Sequence, residues 1–224
     1  MTVGTGAVLV FSATAGYRHA SITAGAAALA ELAGRHGMPA RHTEDPDDLR
    51  PDALAGCAAV VFLSPTGEVL HDRARAALRD FVTGGGGFLG IHAATCAEYD
   101  WPYYGELLGA RFDGHPRVQP ADVLVHDRTH PATAHLPATW RWTDEWYDFR
   151  AGPAGRGVRV LASADEDSYE GGTMGAVHPL VWCHRVGEGR VFYTALGHLE
   201  SAYADPDFRR HLDGALLWCA GTAE

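Results

Sequence analysis

The stretch from Phe81 to Cys96, FVTGGGGFLGIHAATC, leaves the chain few ways to fold. Phe81 and Val82 close one apolar pattern, the glycines Gly84 to Gly87 break it, and Phe88 to Ile91 read as a short buried strand. His92 stands where that strand must stop. In Gly90-Ile91-His92-Ala93-Ala94, the small residues two before and two after the histidine suit a nucleophile elbow, a tight strand-to-helix turn that lifts one side chain into a pocket. That side chain is an imidazole, neither serine nor cysteine, so the usual acyl-enzyme chemistry has no nucleophile at this corner.

The elements around the elbow alternate. Ala7 to Phe11 is a continuous apolar run, as in a strand covered on both faces, and Ser12 to Ala20 follows as a loop. Ser21 is expected to cap a helix that carries Ile22, Ala26, Leu29 and Ala33 on one face and stops at Gly37. A short strand near Pro39 to Thr43 and a clearer one at Ala58 to Leu63 come next, the latter closed by Ser64-Pro65-Thr66-Gly67. A helix over Asp72 to Val82 then leads into the organising strand. This alternation predicts an α/β fold with an open, mainly parallel sheet and helices on both faces, where ligands collect beyond the strand carboxyl ends. Ser12 to Ala20, Ser64 to Gly67 and His92 are three such ends, which lets Arg18 and His19 approach His92.

Beyond the elbow, Trp101, Tyr103 and Tyr104 lead into a short helix ending near Gly109. Val118 to His126, Val158 to Ala162, Leu180 to His184 and Arg190 to Leu196 read as further strands, the last two joined by a hairpin turn at Val186 to Gly189. Asp205 and Pro206 open a final helix with Phe208, Leu212, Leu216 and Cys219 on its buried stripe. No repeat or linker interrupts this order, so residues 1–224 are expected to form a single domain.

Composition narrows the chemistry. The chain has no lysine and no asparagine, which excludes lysine Schiff bases, a Walker lysine and N-glycosylation. A formal charge of -10 weighs against nucleic acid and anionic membrane surfaces and favours small molecules as partners. No apolar run approaches a membrane span, and MTVGTGAVLVF lacks the basic front and cleavage site of a signal peptide, so a cytoplasmic location is expected. The four cysteines, Cys57, Cys96, Cys183 and Cys219, are widely spaced and read as free thiols. Thirteen histidines supply ample acid–base or metal-binding capacity.

Gly85 to Gly90 formally satisfies G-x-G-x-x-G, but these glycines run into a strand instead of opening a helix, so no pyrophosphate site follows. His92 is either a presented functional imidazole or a core histidine bonded to backbone, and the elbow favours function. His198, at the end of the Tyr193 to Gly197 run, reads the same way. Asp144, Glu145, Trp146 and Tyr147 lie in TWRWTDEWYDF, where carboxylates beside aromatic faces suit a sugar. A strand with buried tryptophans and a solvated acid explains that stretch equally well. If those aromatics are exposed, they serve a homodimer instead. Cys96 reads as packing. His126 and His130 are set aside as a metal pair because of Pro131, and Cys183 and His184 because neighbours in a strand face opposite ways. A site for zinc or a similar divalent ion, assembled from distant His92, Glu145, His184 or His198, stays open.

Six stretches, VLVFSATAGYRHASI, VVFLSPTGEVL, GGGGFLGIHAA, YDWPYYGELLGARFDGHP, TDEWYDFR and YTALGHLESAY, together resemble the ThuA-like (trehalose utilisation) family. The resemblance implies a flavodoxin-like, class I glutamine-amidotransferase-like fold with additional antiparallel strands. Amidotransferases of that superfamily carry cysteine at the elbow and a downstream His-x-Glu. This chain keeps a match to the second in His198-Leu199-Glu200 and has His92 for the first, so amidotransfer is not expected. His115, Arg18 and His19 match the family pattern on loops, where a turn role is the alternative.

The resemblance points to a sugar-metabolism enzyme acting on trehalose-type disaccharides or their 3-keto derivatives. His92, Glu145 and His198 are the expected catalytic residues, with His92 and His198 as candidate metal ligands. Arg18, His19, His115, Asp144, Trp146 and Tyr147 are expected to bind substrate. A non-catalytic sugar-binding or regulatory module on the same scaffold is the alternative, and an amidotransferase using Cys96 a third.

Overall fold

The computed structural model describes residues 6–153 and 157–223. The extreme start, part of the stretch that argued against a secretion signal, lies outside them. In chain order the elements are β1 (Ala7–Phe11), α1 (Ile22–Arg35), β2 (Ala40–Thr43), α2 (Pro51–Leu54), β3 (Cys57–Leu63), α3 (Asp72–Thr83), β4 (Gly87–Ile91) and α4 (Pro102–Leu108). There follow β5 (Phe112–Gly114), β6 (Gln119–Val125), β7 (Thr139–Asp144), β8 (Asp148–Phe149), β9 (Arg159–Asp165), β10 (Pro179–Val186), β11 (Gly189–Thr194) and α5 (Pro206–Cys219). No helix among the described residues is long and apolar enough to cross a membrane.

One nine-stranded sheet runs in the order β2-β1-β3-β4-β11-β10-β9-β6-β7. The strands from β2 to β11 pair in parallel, and β10, β9, β6 and β7 continue the sheet antiparallel. A separate two-stranded ribbon pairs β5 with β8. The apolar run of β3 and β4, which sets Gly87 and Gly90 among buried Phe88, Leu89 and Ile91, lie at the centre, where both faces must be covered. Two glycines of β4 show by what. A Cβ built on Gly87 falls 2.3 Å from the Cys219 carbonyl oxygen of α5, and one on Gly90 falls 2.8 Å from a Leu108 methyl of α4. Residues an odd number apart on a strand face opposite ways, so α5 and α4 cover opposite faces of the sheet.

Most expected elements form within a residue or two of the expected bounds, including the β10–β11 hairpin, which closes with Val186 opposite Gly189. Three differences carry physical reasons. Ser21 occupies the N-cap position of α1 but has helical dihedrals (φ -66, ψ -13), so its hydroxyl makes no capping bond. By contrast Asp205, in extended backbone, accepts from the N–H groups of Asp207 and Phe208 at the start of α5 as expected. After His92 the chain makes only a 3-10 turn, His92–Cys96, before running extended at Ala97. Finally, the Thr139 to Phe149 stretch is not one strand. It breaks after Asp144, whose carboxylate accepts the Glu145 N–H at 2.9 Å, and resumes as β8 against β5.

The loops after β1, β3 and β4 are stitched together at their carboxyl ends by single bridges, Thr14 to Thr66 and Gly67 to Ala97. This gathers the three strand ends named from the sequence along one crevice.

Candidate active site

At the end of β4 the backbone turns from extended Ile91 into a left-handed conformation at His92, with φ 50. A non-glycine residue held there is strained and must be fixed by its surroundings. The small residues foreseen around the elbow make the turn sterically possible: a Cβ on Gly90 comes 3.3 Å from Cβ of Ala94 and 3.1 Å from the Tyr193 ring. The Tyr193 hydroxyl donates to the His92 carbonyl at 2.8 Å and ties the corner down.

The imidazole of His92 is fully buried, and its orientation is set by chemistry. Its Nδ1 lies 2.7 Å from the Ala195 carbonyl oxygen, which can only accept, so Nδ1 carries a proton and Nε2 is the ring nitrogen left to face the site. That Nε2 faces two groups of the cleft wall: His198 Nδ1 at 3.3 Å and Glu145 Oε2 at 3.6 Å. His198 Nδ1 lies 3.3 Å from Glu145 Oε2, and the other oxygen, Oε1, is 3.2 Å from His115 Nδ1. The His19 ring meets His92 edge-on at 4.8 Å and His198 at 5.4 Å, while Tyr147 lies against His92 at 4.2 Å. One donor atom from each of His19, His92, Glu145 and His198 falls within 4.8 Å of the others, a set able to hold a metal ion.

Asp144 positions this group without entering it. Its buried carboxylate accepts from Glu145 N and His198 N through Oδ1, and from Gly197 N and Trp142 Nε1 through Oδ2, all between 2.9 and 3.0 Å. One side chain therefore fastens the β7 end to the loop after β11 and sets Glu145 beside His198.

The electrostatics follow from this packing. Burial alone would raise the Glu145 carboxyl, but hydrogen bonds and charge from His198 and His92 outweigh it and hold the group well below the usual carboxylate range. The Glu145 hydrogen bond in turn raises His198 above an ordinary histidine, against the effect of burial. His19 is lowered to about 3 by burial and by the neighbouring His92 and His198, so it stays neutral. Cys96, on the cleft wall, is pushed up to about 12 chiefly by burial and remains a thiol.

A cleft of about 520 Å³ opens over these groups. His19, His115, Glu145, Tyr147 and His198 line it, and His92 stands directly behind them. Thus all three expected catalytic residues converge. Three expected substrate-binding residues do not reach the cleft. Arg18 points into solvent and pairs with Glu44 at 2.6 Å. Asp144 is buried beneath the site, with its oxygens taken by three backbone N–H groups and the Trp142 indole. Trp146 is buried facing away, its Nε1–H bonded to the Gln119 carbonyl, because its neighbour Tyr147 takes the cleft side.

His184 stays outside the group as well, near Gly109 and Trp182. Trp140 and Trp146 are buried and Trp142 half-buried, so the aromatic surface suggested for a homodimer is not exposed. Sequence reasoning missed Tyr99, Phe112 and Thr66 as lining residues. The strand-end rule marked the Thr66 loop, whereas nothing local marks Tyr99 or Phe112.

The profile of the trehalose utilisation family, ThuA, matches residues 7–219. Among solved structures, the chain resembles a ThuA-like protein from Bacteroides uniformis with a TM-score of 0.82 and 21% identity, covering 100% of this chain and 95% of that one. A ThuA-like protein from Parabacteroides merdae gives a TM-score of 0.78 at 21% identity over 97% and 91% of the two chains. The cytoplasmic protein STM3548 from Salmonella typhimurium shares the fold at a TM-score of 0.64 and 11% identity, over 96% and 98%. A search of curated proteins finds no match. The fold and the span of the family match together show that the chain belongs to the ThuA, trehalose utilisation, family.

Proposed function

We propose that this protein is a cytoplasmic enzyme of carbohydrate metabolism acting on trehalose-type disaccharides or their 3-keto derivatives by acid–base elimination or hydrolysis, with a divalent metal such as zinc as its candidate cofactor. The observation that carries the reading is the convergence of Glu145, His198 and Nε2 of His92 at the base of one cleft. The cleft also offers the aromatic faces of Tyr99, Phe112 and Tyr147, which suit the C–H surfaces of a sugar ring. Its volume lies within the range of small-molecule sites.

In a 3-keto-glycoside the ketone acidifies the proton on C2. Glu145 takes that proton, and the electron pair forms the enolate. Re-forming the ketone then breaks the bond from C1 to the leaving oxygen, which in the metal-free site receives a proton from His198. Water adds later at C1, so the sum is hydrolysis and no covalent nucleophile is needed. In the ground state His198 weakens Glu145 as a base, and substrate that separates the two restores its basicity. A divalent ion held by His92 and His198 would stabilise the enolate oxygen. The high pKa of Cys96 argues against an amidotransferase thioester.

The test is product analysis with trehalose and 3-keto-trehalose, with and without added zinc, for wild type, Glu145→Gln and His198→Ala. Release of free sugar from the keto substrate, slowed at least about 100-fold in both variants, supports the reading. Saturable binding by calorimetry with no product under any condition would instead identify a sugar-binding module.

A further inference from the structure

Two clusters of potential metal ligands occur among the described residues, and their hydrogen bonding separates them. Asp148, Glu166 and His178 form one. There the ligand atoms are already engaged: Glu166 accepts from Met174 N and Gly175 N, Asp148 from the Thr173 hydroxyl, and His178 donates Nε2–H to the Tyr147 carbonyl. That set clamps the segment between Glu166 and His178 and has no donor to spare.

The set beneath the cleft differs. His92 Nε2 faces two other potential ligands, and Nδ1 of buried His19 has no hydrogen-bond partner at all. Ligands about 2.0–2.1 Å from a tetrahedral ion stand roughly 3.3 Å apart. The distances among His92 Nε2, His198 Nδ1 and Glu145 Oε2 are 3.3, 3.3 and 3.6 Å, so three donors already have the spacing of one face of such a shell. A histidine that ligates metal characteristically donates its other ring N–H to a carbonyl or carboxylate, and Ala195 provides that carbonyl for His92.

We infer that His19, His92, Glu145 and His198 form a three-imidazole, one-carboxylate site for a divalent transition metal, with His19 as the fourth protein ligand. This deepens the metal-assisted form of the reading above but depends on no sugar chemistry. Imidazole-rich donors suit zinc, cobalt, manganese or iron, whereas magnesium and calcium require oxygen shells. One carboxylate against a divalent ion leaves a net positive charge at the cleft base, suited to an anionic or enolate oxygen.

The test uses the purified full chain, stripped with a chelator and titrated with Co2+ while visible absorption and bound metal per chain are followed. The expected result is one tightly bound Co2+ per chain, displaced by Zn2+ and not by equal Mg2+. His19→Ala and His198→Ala should each weaken binding at least about tenfold, while Glu166→Gln leaves it unchanged. Circular dichroism checks folding. If a variant fails to fold, protection of His19 and His198 from diethylpyrocarbonate by Zn2+, read by mass spectrometry on the wild type, replaces it.

No stoichiometric binding by folded wild type overturns the inference, as does binding that Glu166→Gln removes and His198→Ala spares. Unchanged affinity in His19→Ala removes the four-ligand form. Metal binding without turnover of 3-keto-trehalose would leave this site standing and sink the sugar reading. Turnover by protein that binds no metal would do the reverse.

Discussion

His198 Nδ1 stands 3.3 Å from His92 Nε2 across 106 residues of sequence, the first ring at the end of β11 and the second at the end of β4. The parallel pairing of β4 with β11, Ile91 opposite Thr194, brings the two strand ends side by side. Asp144 then fixes the loop that carries His198. The site is thus a product of sheet register and one buried carboxylate.

Asp144→Asn tests that anchoring. An amide keeps the shape but replaces one accepting oxygen by a donor, setting it against an N–H that now has no acceptor. A loss of stability of about 2–4 kcal/mol in urea unfolding is expected, with at least a tenfold loss of any activity that needs Glu145 and His198. Wild-type stability in this variant would show that the four bonds do not hold the loop.

The elbow makes a steric prediction. Gly90→Val inserts atoms where a Cβ alone already comes 2.8 Å from Leu108 and 3.1 Å from Tyr193. Overpacking of this kind costs roughly 1–3 kcal/mol or more, and it should appear as a lowered melting temperature and a disturbed near-ultraviolet spectrum from the tyrosines. Gly114→Val, at a position with open space around its Cβ, is the contrast and should change stability far less.

Buried histidines set the response to acid. Burial lowers His211 and His130 to about 4, whereas unfolded histidine titrates near 6.5. Between those values the unfolded chain binds more protons, so their stabilising effect is complete above about pH 6.5 and is lost as the pH falls toward 4. For His211 alone this amounts to roughly 3 kcal/mol. Urea midpoints at pH 7.5 and 4.5 check it. Equal midpoints would contradict it, and His211→Gln should flatten the profile.

Cys96 should behave as an inert wall of the cleft. With its thiol pushed up to about 12, chiefly by burial, iodoacetamide should label it far more slowly at pH 8 than a free cysteine. Cys96→Ala should show no loss of function, and neither protein should hydrolyse glutamine. Rapid labelling of Cys96, or a glutaminase activity abolished by the variant, would revive thiol chemistry.

Much of the architecture was legible because apolar runs such as Val60 to Leu63 and the Gly90-His92-Ala94 spacing have few alternatives once a sheet is covered on both sides. The convergence of strand ends followed from the same alternation. The sequence did not reveal where β7 stops, since that depends on Asp144 turning its carboxylate onto its own following N–H and onto residues more than fifty positions away. With that break hidden, Trp146 and Tyr147 looked equally suited to the cleft, although only one can face it. Asp144 looked like a sugar ligand for the same reason. Arg18 sits on the correct loop, but its long side chain finds Glu44 in solvent, a pairing no local pattern announces.

The most direct measurement of the central claim is hydrogen exchange at C2 of 3-keto-trehalose in D2O, followed by NMR against an enzyme-free control. Wild type should incorporate deuterium at C2 and release sugar, with both signals reduced at least about 100-fold in Glu145→Gln. Exchange no faster than the control, or equally fast in wild type and Glu145→Gln, would contradict the assignment of proton abstraction to this carboxylate.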